Sequence, residues 1–227
     1  VFMNHIVKKT QHFDKISEIT GISCSGKSAL VGTLGERENI LIFDVGQFIS
    51  SVKKRTVLNR FAVEIINLLN LVMFNNGLLS LSDVFWLSKE VYKVRATFRL
   101  KLNILFNCIL KFSDHATIRR KGLTGCSCII DEGISHIPFL LQEQDGWRTM
   151  QENFFKRFER QLSQINVIYL DERGVNTIER LIFRGHKRLK NKCLEGAKAF
   201  DKKNRETMLF MVNRSNVFKS FNKINQE

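Results

Sequence analysis

The sequence predicts an α/β fold, a parallel sheet with helices on its faces, and three observations carry that expectation. A glycine-containing loop, Gly21-Ile22-Ser23-Cys24-Ser25-Gly26-Lys27-Ser28, stands between an apolar strand signal and the opening of a helix. Three further apolar runs, at 40–43, 126–130 and 167–170, are short enough for strands buried on both faces, and each closes on an acidic residue. Amphipathic helical stretches lie between them.

The loop fits the pattern G-x-x-x-x-G-K-[ST], the P-loop. Ile16, Ile19 and Ile22 suit a strand running into it, and Ala29, Leu30 and Leu34 suit a helix leaving it. Glycines let the backbone curl so that successive N–H groups face phosphate oxygens, and the helix N-terminus adds partial positive charge. Gly21, Ile22, Ser23, Cys24, Ser25, Gly26, Lys27, Ser28 and Ala29 are therefore the expected nucleotide-binding residues. Lys27 would reach the β- and γ-phosphates, and the Ser28 hydroxyl would ligate Mg²⁺.

Next in the chain, Ile40-Leu41-Ile42-Phe43 ends at Asp44, where parallel strands present ligand contacts. Asp44 reads as a substrate contact or as a turn residue. The spacing predicts a helix over 57–74 and a second, long one from 84 to about 112, capped by Ser82-Asp83. Lys89, Lys93, Arg95, Arg99 and Lys101 lie largely off its buried stripe. They form a solvated basic face, or else Arg95 and Arg99, four apart, turn toward a substrate phosphate.

The strand Cys126-Ser127-Cys128-Ile129-Ile130 closes on Asp131-Glu132-Gly133. Downstream of a P-loop this has the form of a Walker B site, with Asp131 holding Mg²⁺ or accepting a proton from an attacking hydroxyl; Glu132 is adjacent, so one of the two can face the metal while the other points elsewhere. A helix over 147–163 follows, then Val167-Ile168-Tyr169-Leu170-Asp171 as a strand, then a helix at about 174–184. Arg180, Arg184 and Arg188 recur at four-residue steps in a basic segment that suits a phosphate-clamping lid over about 180–192. A last helix is expected at about 204–222, with no clear final strand.

The order of these motifs is similar to that of the P-loop nucleoside and nucleotide kinases, thymidylate kinase most closely. The segment from Val167 through Glu179-Arg180 and Arg184-Gly185-His186-Lys187-Arg188 resembles that family's strand, helix and lid. The resemblance spans roughly 14–192, with tight matches over only about 30 residues. It implies a doubly wound sheet of about five parallel strands, with Lys27 on the transferring phosphoryl group, Ser28 on the metal, Asp131 at the acidic strand end and Arg184 and Arg188 in the lid. Where that family usually carries Asp-Arg-Tyr/Phe, this chain has Asp131-Glu132-Gly133. The arginine that would hold an acceptor phosphate is missing, which opens the acceptor to a sugar or nucleoside hydroxyl.

Composition frames these readings. The 227 residues suit one domain: a core over about 14–192 and a helical tail over 194–227. Hydrophobic residues are 44%, enough for a sizeable core, and one proline leaves no Pro-rich linker. The net charge of +14 favours polyanionic partners: nucleotides, nucleic acid or another large polyanion, phosphosugars or an acidic membrane surface. Five cysteines without a C-x-x-C pair read as reduced thiols. With neither a signal peptide nor an 18-residue apolar run in view, the expectation is a cytoplasmic protein without a membrane span, a homodimer being left open.

The sequence therefore points to an ATP- and Mg²⁺-dependent kinase of a small molecule. A polynucleotide-end kinase or nucleic-acid-associated ATPase would use the basic excess, and a nucleotide sensor would bind without transfer. A regulatory GTPase is disfavoured: Asp44-Val45-Gly46-Gln47 places the glycine one position early for D-x-x-G, and Asn222-Lys223-Ile224-Asn225 lacks the aspartate of N-K-x-D. The L-S-G-G-Q signature of ABC-type ATPases is absent.

Overall fold

Strand β1 (Ile16–Gly21) has its hydrogen-bonding neighbours far along the chain, in β3 (Ser127–Asp131) on one side and β4 (Asn166–Glu172) on the other. With β2 (Ile40–Phe43) and β5 (Ser220–Gln226) at the edges, the order is β2-β3-β1-β4-β5, and every pairing is parallel. These elements come from a computed structural model, which describes residues 16–22, 25–35, 40–43, 78–120, 127–172, 176–184 and 194–226. The expected helix at 57–74 and most of the expected lid, 185–192, lie outside the described residues.

Parallel strands need crossover connections, and the helices that make them cover both faces of the sheet. Helix α1 (Lys27–Gly35) follows the glycine loop and buries Leu30 and Val31 against Ile19, Ile129, Ile168 and Leu170. Alternate residues of β4, Val167 and Tyr169, point to the opposite face. There they join the larger core made with α2 (Leu81–Lys93), α3 (Phe98–Arg120), α4 (Ile137–Leu141), α5 (Trp147–Arg157), α6 (Glu159–Leu162) and α8 (Leu194–Asn213). Helix α7 (Asn176–Arg184) follows β4 and packs on α8 through Leu181, Ala197 and Phe200. Among the described residues no helix is long and apolar enough to cross a membrane.

Three sequence expectations are corrected. The helix expected over 84–112 is two. Ser80, not Ser82, caps α2, exchanging bonds with Asp83 in a capping box. Val94 then turns extended (φ −61°, ψ 133°), and Thr97 restarts the chain as α3 by accepting the Leu100 N–H. The helix over 147–163 breaks at Phe158 (φ −105°, ψ 18°), which drives its ring between Trp86, Phe112 and Phe154. The C-terminal helix ends at Asn213, and β5 occupies 220–226, where helix was expected up to 222. Its sequence, Ser-Phe-Asn-Lys-Ile-Asn-Gln, is polar because it forms a sheet edge, so pairing with β4 rather than apolar patterning defines it.

Candidate active site

The chain leaves β1 toward β2 on one side and crosses back through β3 to β4 on the other, so the carboxyl ends of β1, β3 and β4 frame one crevice. Open parallel sheets bind ligands in such a crevice. Gly21 ends β1, and Ser25 N donates to the Ile22 carbonyl at 3.3 Å to close the visible part of the loop. Gly26 adopts φ 83°, which a side chain would resist, and its carbonyl accepts the Ala29 and Leu30 N–H groups that start α1. Ala29 is exposed at the head of the helix, and the Ser25 side chain is buried beneath the loop.

Lys27 turns back under this loop. Its buried ammonium donates to the carbonyls of Ile22 at 2.8 Å and Gly21 at 3.1 Å, and it stands 3.2 Å from Glu132 Oε1. Three donors thus meet three acceptors. The partner is Glu132, while Asp131, the residue expected there, closes β3 partly buried and in register with Ile19.

Glu132 is held with unusual firmness. Its φ of 57° is left-handed, the sole positive φ on a non-glycine among the described residues. Its N–H donates to the Ile19 carbonyl at 2.9 Å, and its own carbonyl accepts from Lys111 of α3. The next turn rests on Glu18 of β1, a fully buried carboxylate. Glu18 Oε1 accepts the Ile134 N–H and Oε2 the Ser135 N–H, both at 2.7 Å, while His115 of α3 also bonds Oε1. Gly133 has no room for a side chain, since a Cβ there would lie 2.2 Å from Glu18 Oε1.

The electrostatics follow from this packing. Burial opposes ionisation of Glu132, but His136, Lys27 and Lys111 outweigh it and hold the carboxyl well below the usual carboxylate range. His136 Nε2 lies 3.4 Å from Glu132 Oε2, its ring stacks on Phe139, and its Nδ1 lies 3.4 Å from the Thr20 hydroxyl. Glu18 behaves likewise: burial raises its pKa, and His115 and the bonds from Ser135 bring it below the ordinary value. Two ionised carboxylates thus lie beside the loop, one facing it and one locked beneath the turn that aims the first.

The remaining expected residues divide. Arg95 and Arg99 are not on one helix. Arg95 sits in the α2–α3 turn, bonded to both carboxylate oxygens of Asp145 at 2.6 and 2.7 Å. Arg99 is exposed in the first turn of α3, about 18 Å along the helix axis from Lys111. The structure does not bring either to the crevice. Arg184 is the last residue of α7, and Ser28 is the second residue of α1; their side chains lie outside the described set. So do Ser23, Cys24, Asp44 and Arg188.

Among the described residues no cluster of three His, Cys, Asp or Glu side chains could hold a metal by itself. The donors that are present suit Mg²⁺ in another way. An ionised Glu132 beside Asp131 offers hard carboxylate oxygens next to the loop. Mg²⁺ characteristically binds through one or two carboxylates together with substrate phosphates.

The sequence offers Glu132 as one of an adjacent acidic pair without choosing it over Asp131, and it does not single out Glu18, Lys111, His115 or His136. One signal was available for Glu18, a charged residue between Ile16 and Ile19 in the strand that runs into the loop. Lys111 and His115, four apart on α3, face the same side of one helix. No family model and no curated protein matches the chain.

Proposed function

We propose that the chain is a Mg²⁺- and ATP-dependent phosphotransferase that moves the γ-phosphoryl group to a hydroxyl or phosphate of a small molecule: a nucleoside, a nucleotide or a sugar. The observation that supports it is the placement of the Lys27 ammonium between the ends of its own loop and the Glu132 carboxylate of the adjacent strand. Such a lysine can exchange backbone carbonyls for phosphate oxygens without crossing the site.

Phosphoryl transfer asks for positioning and charge stabilisation more than for covalent chemistry. Lys27 neutralises charge on the transferring group. Ser28 and Asp131 would hold Mg²⁺, which would supply further neutralisation of the phosphate oxygens. A carboxylate with a strongly lowered pKa is a weak proton acceptor at neutral pH, so Glu132 orients the attacking hydroxyl as a hydrogen-bond acceptor. Arg184 and Arg188 are the lid groups of this reading, closing on the phosphates and excluding water.

The test is Mg²⁺-dependent ADP release against nucleosides, nucleoside monophosphates, sugars and a 5′-hydroxyl oligonucleotide, with Lys27→Ala as control. Acceptor-dependent release that the variant lacks is expected. ATP binding that no acceptor converts to ADP would favour a sensor and count against the proposal. The net charge of +14 favours a second reading, a polynucleotide-end kinase, which predicts that the oligonucleotide is the preferred acceptor.

A further inference from the structure

The described surface exposes few large apolar side chains, and most of them gather on one face. Leu81, Phe85 and Tyr92 of α2 are 73, 79 and 77 % exposed, and Phe98, which opens α3, is 76 % exposed. On a helix, Leu81, Phe85 and Tyr92 fall within about 40° of one another and extend about 16 Å along the axis. The opposite side of α2, Leu87 and Val91, is buried in the core, so the exposed stripe is not a helix lacking a fold to join. Leu102 lies one turn beyond Phe98, and Lys101 joins the helices, its ammonium 4.7 Å above the Tyr92 ring and bonded to the Tyr92 carbonyl.

Cations lie beside this stripe: Lys89 and Arg99 are exposed, and Lys101 joins them. The acids nearby have partners within the chain. Asp83 bonds Arg157 at 2.6 Å, Glu90 is buried and bonded to Lys93 at 2.7 Å, and Asp145 is paired with Arg95. The face is apolar at its centre and positive at its rim, a pattern that fits an anionic partner.

We infer that the outward face of α2 and the start of α3 docks on the surface of an anionic bilayer. Leucine and phenylalanine enter the headgroup–acyl boundary, and the lysine and arginine stems reach back to lipid headgroups. Two features favour lipid over a single-stranded nucleic acid. Leu81 and Leu102 offer no ring for base stacking, and the Tyr92 ring already carries the Lys101 ammonium. A second copy of this chain fits poorly, because a two-fold contact would bring two copies of the same cationic rim, Lys89 and Arg99 included, into one interface. The face lies about 18 Å along α3 from Lys111, clear of the Glu132 crevice, so the inference stands apart from the proposed reaction.

Co-sedimentation of the full chain with vesicles tests it. Vesicles of equal parts phosphatidylcholine and phosphatidylserine are expected to retain the protein, and vesicles of phosphatidylcholine alone are not. Phe85→Ser with Phe98→Ser should weaken retention at least about tenfold with an unchanged melting temperature, since both rings are exposed. Lys89→Glu with Arg99→Glu should abolish the preference for anionic lipid. Retention of the serine variant equal to that of the wild type would overturn the proposal. So would a wild-type protein that ignores anionic vesicles. Loss of oligonucleotide binding or of a dimer in the serine variant, with vesicle binding intact, would assign the face to that other partner.

Discussion

Lys27 Nζ and Glu132 Oε1 stand 3.2 Å apart, joining the loop after β1 to the residue just past β3. The acidic group that faces the loop is thus the one beyond the strand end, reached through a left-handed backbone. Glu132→Gln should lower kcat about 10²-fold or more, as the loss of a preorganised electrostatic group does. Asp131→Asn should cost less. Lys27→Ala combined with Glu132→Gln should be scarcely worse than the worse single variant, because the two act as a unit. Steady-state ADP release measures all four.

The backbone at Glu132 carries a cost that glycine avoids. Glu132→Gly and Glu132→Ala both remove the carboxylate, but only glycine relieves φ 57°. The glycine variant should be more stable than the alanine variant by about 1 kcal/mol, with both inactive. Urea melts of the two variants decide this.

Gly133 and Glu18 leave no space between them. Gly133→Ala should cost about 1–3 kcal/mol, the usual range for overpacking, because a carboxylate fixed by three bonds cannot move aside. Nucleotide affinity should fall with it, as the turn carrying Glu132 shifts. Thermal melts and titration with a fluorescent ATP analogue report the two effects.

Both carboxylates titrate lower in the folded chain than their ordinary values. A depressed folded pKa means that the unfolded chain takes up protons first, so stability rises with pH through this range. Their contribution should be complete above the unfolded glutamate value of about 4.3 and be lost as pH falls below it. Melting temperatures should be flat from neutrality to about pH 5 and then drop, and the drop should be shallower in Glu18→Gln. An equally steep acid limb in that variant would remove Glu18 from the account.

Much of this fold is legible because short apolar runs and glycines act locally. Ile40–Phe43, Val167–Leu170 and the loop at 21–28 signal themselves through residues close in the chain. The helix breaks at Val94 and Phe158 are harder to read, because burial of those two side chains sets them rather than any local breaker. Strand β5 is harder still, since its identity lies in its pairing with β4, fifty-four residues away. The site divides in the same way. Lys27 follows from a motif, whereas the choice of Glu132 over Asp131 becomes visible only once Glu18, Lys111 and His115, drawn from two other elements, are seen to fix the turn around it.

Among the described strands, the central one is the first made and the one that waits longest for its neighbours. Ile16 meets Cys128 and Gly21 meets Leu170, so among the described residues β1 has no strand neighbour until more than a hundred further residues have been synthesised. At typical translation rates that wait is roughly 5–20 s. Through it the nascent chain carries Glu18 in water and a loop whose lysine has no carboxylate to face. The arrangement that we propose binds nucleotide is therefore absent from the emerging polypeptide and is assembled late, when β3 and β4 close around the first strand.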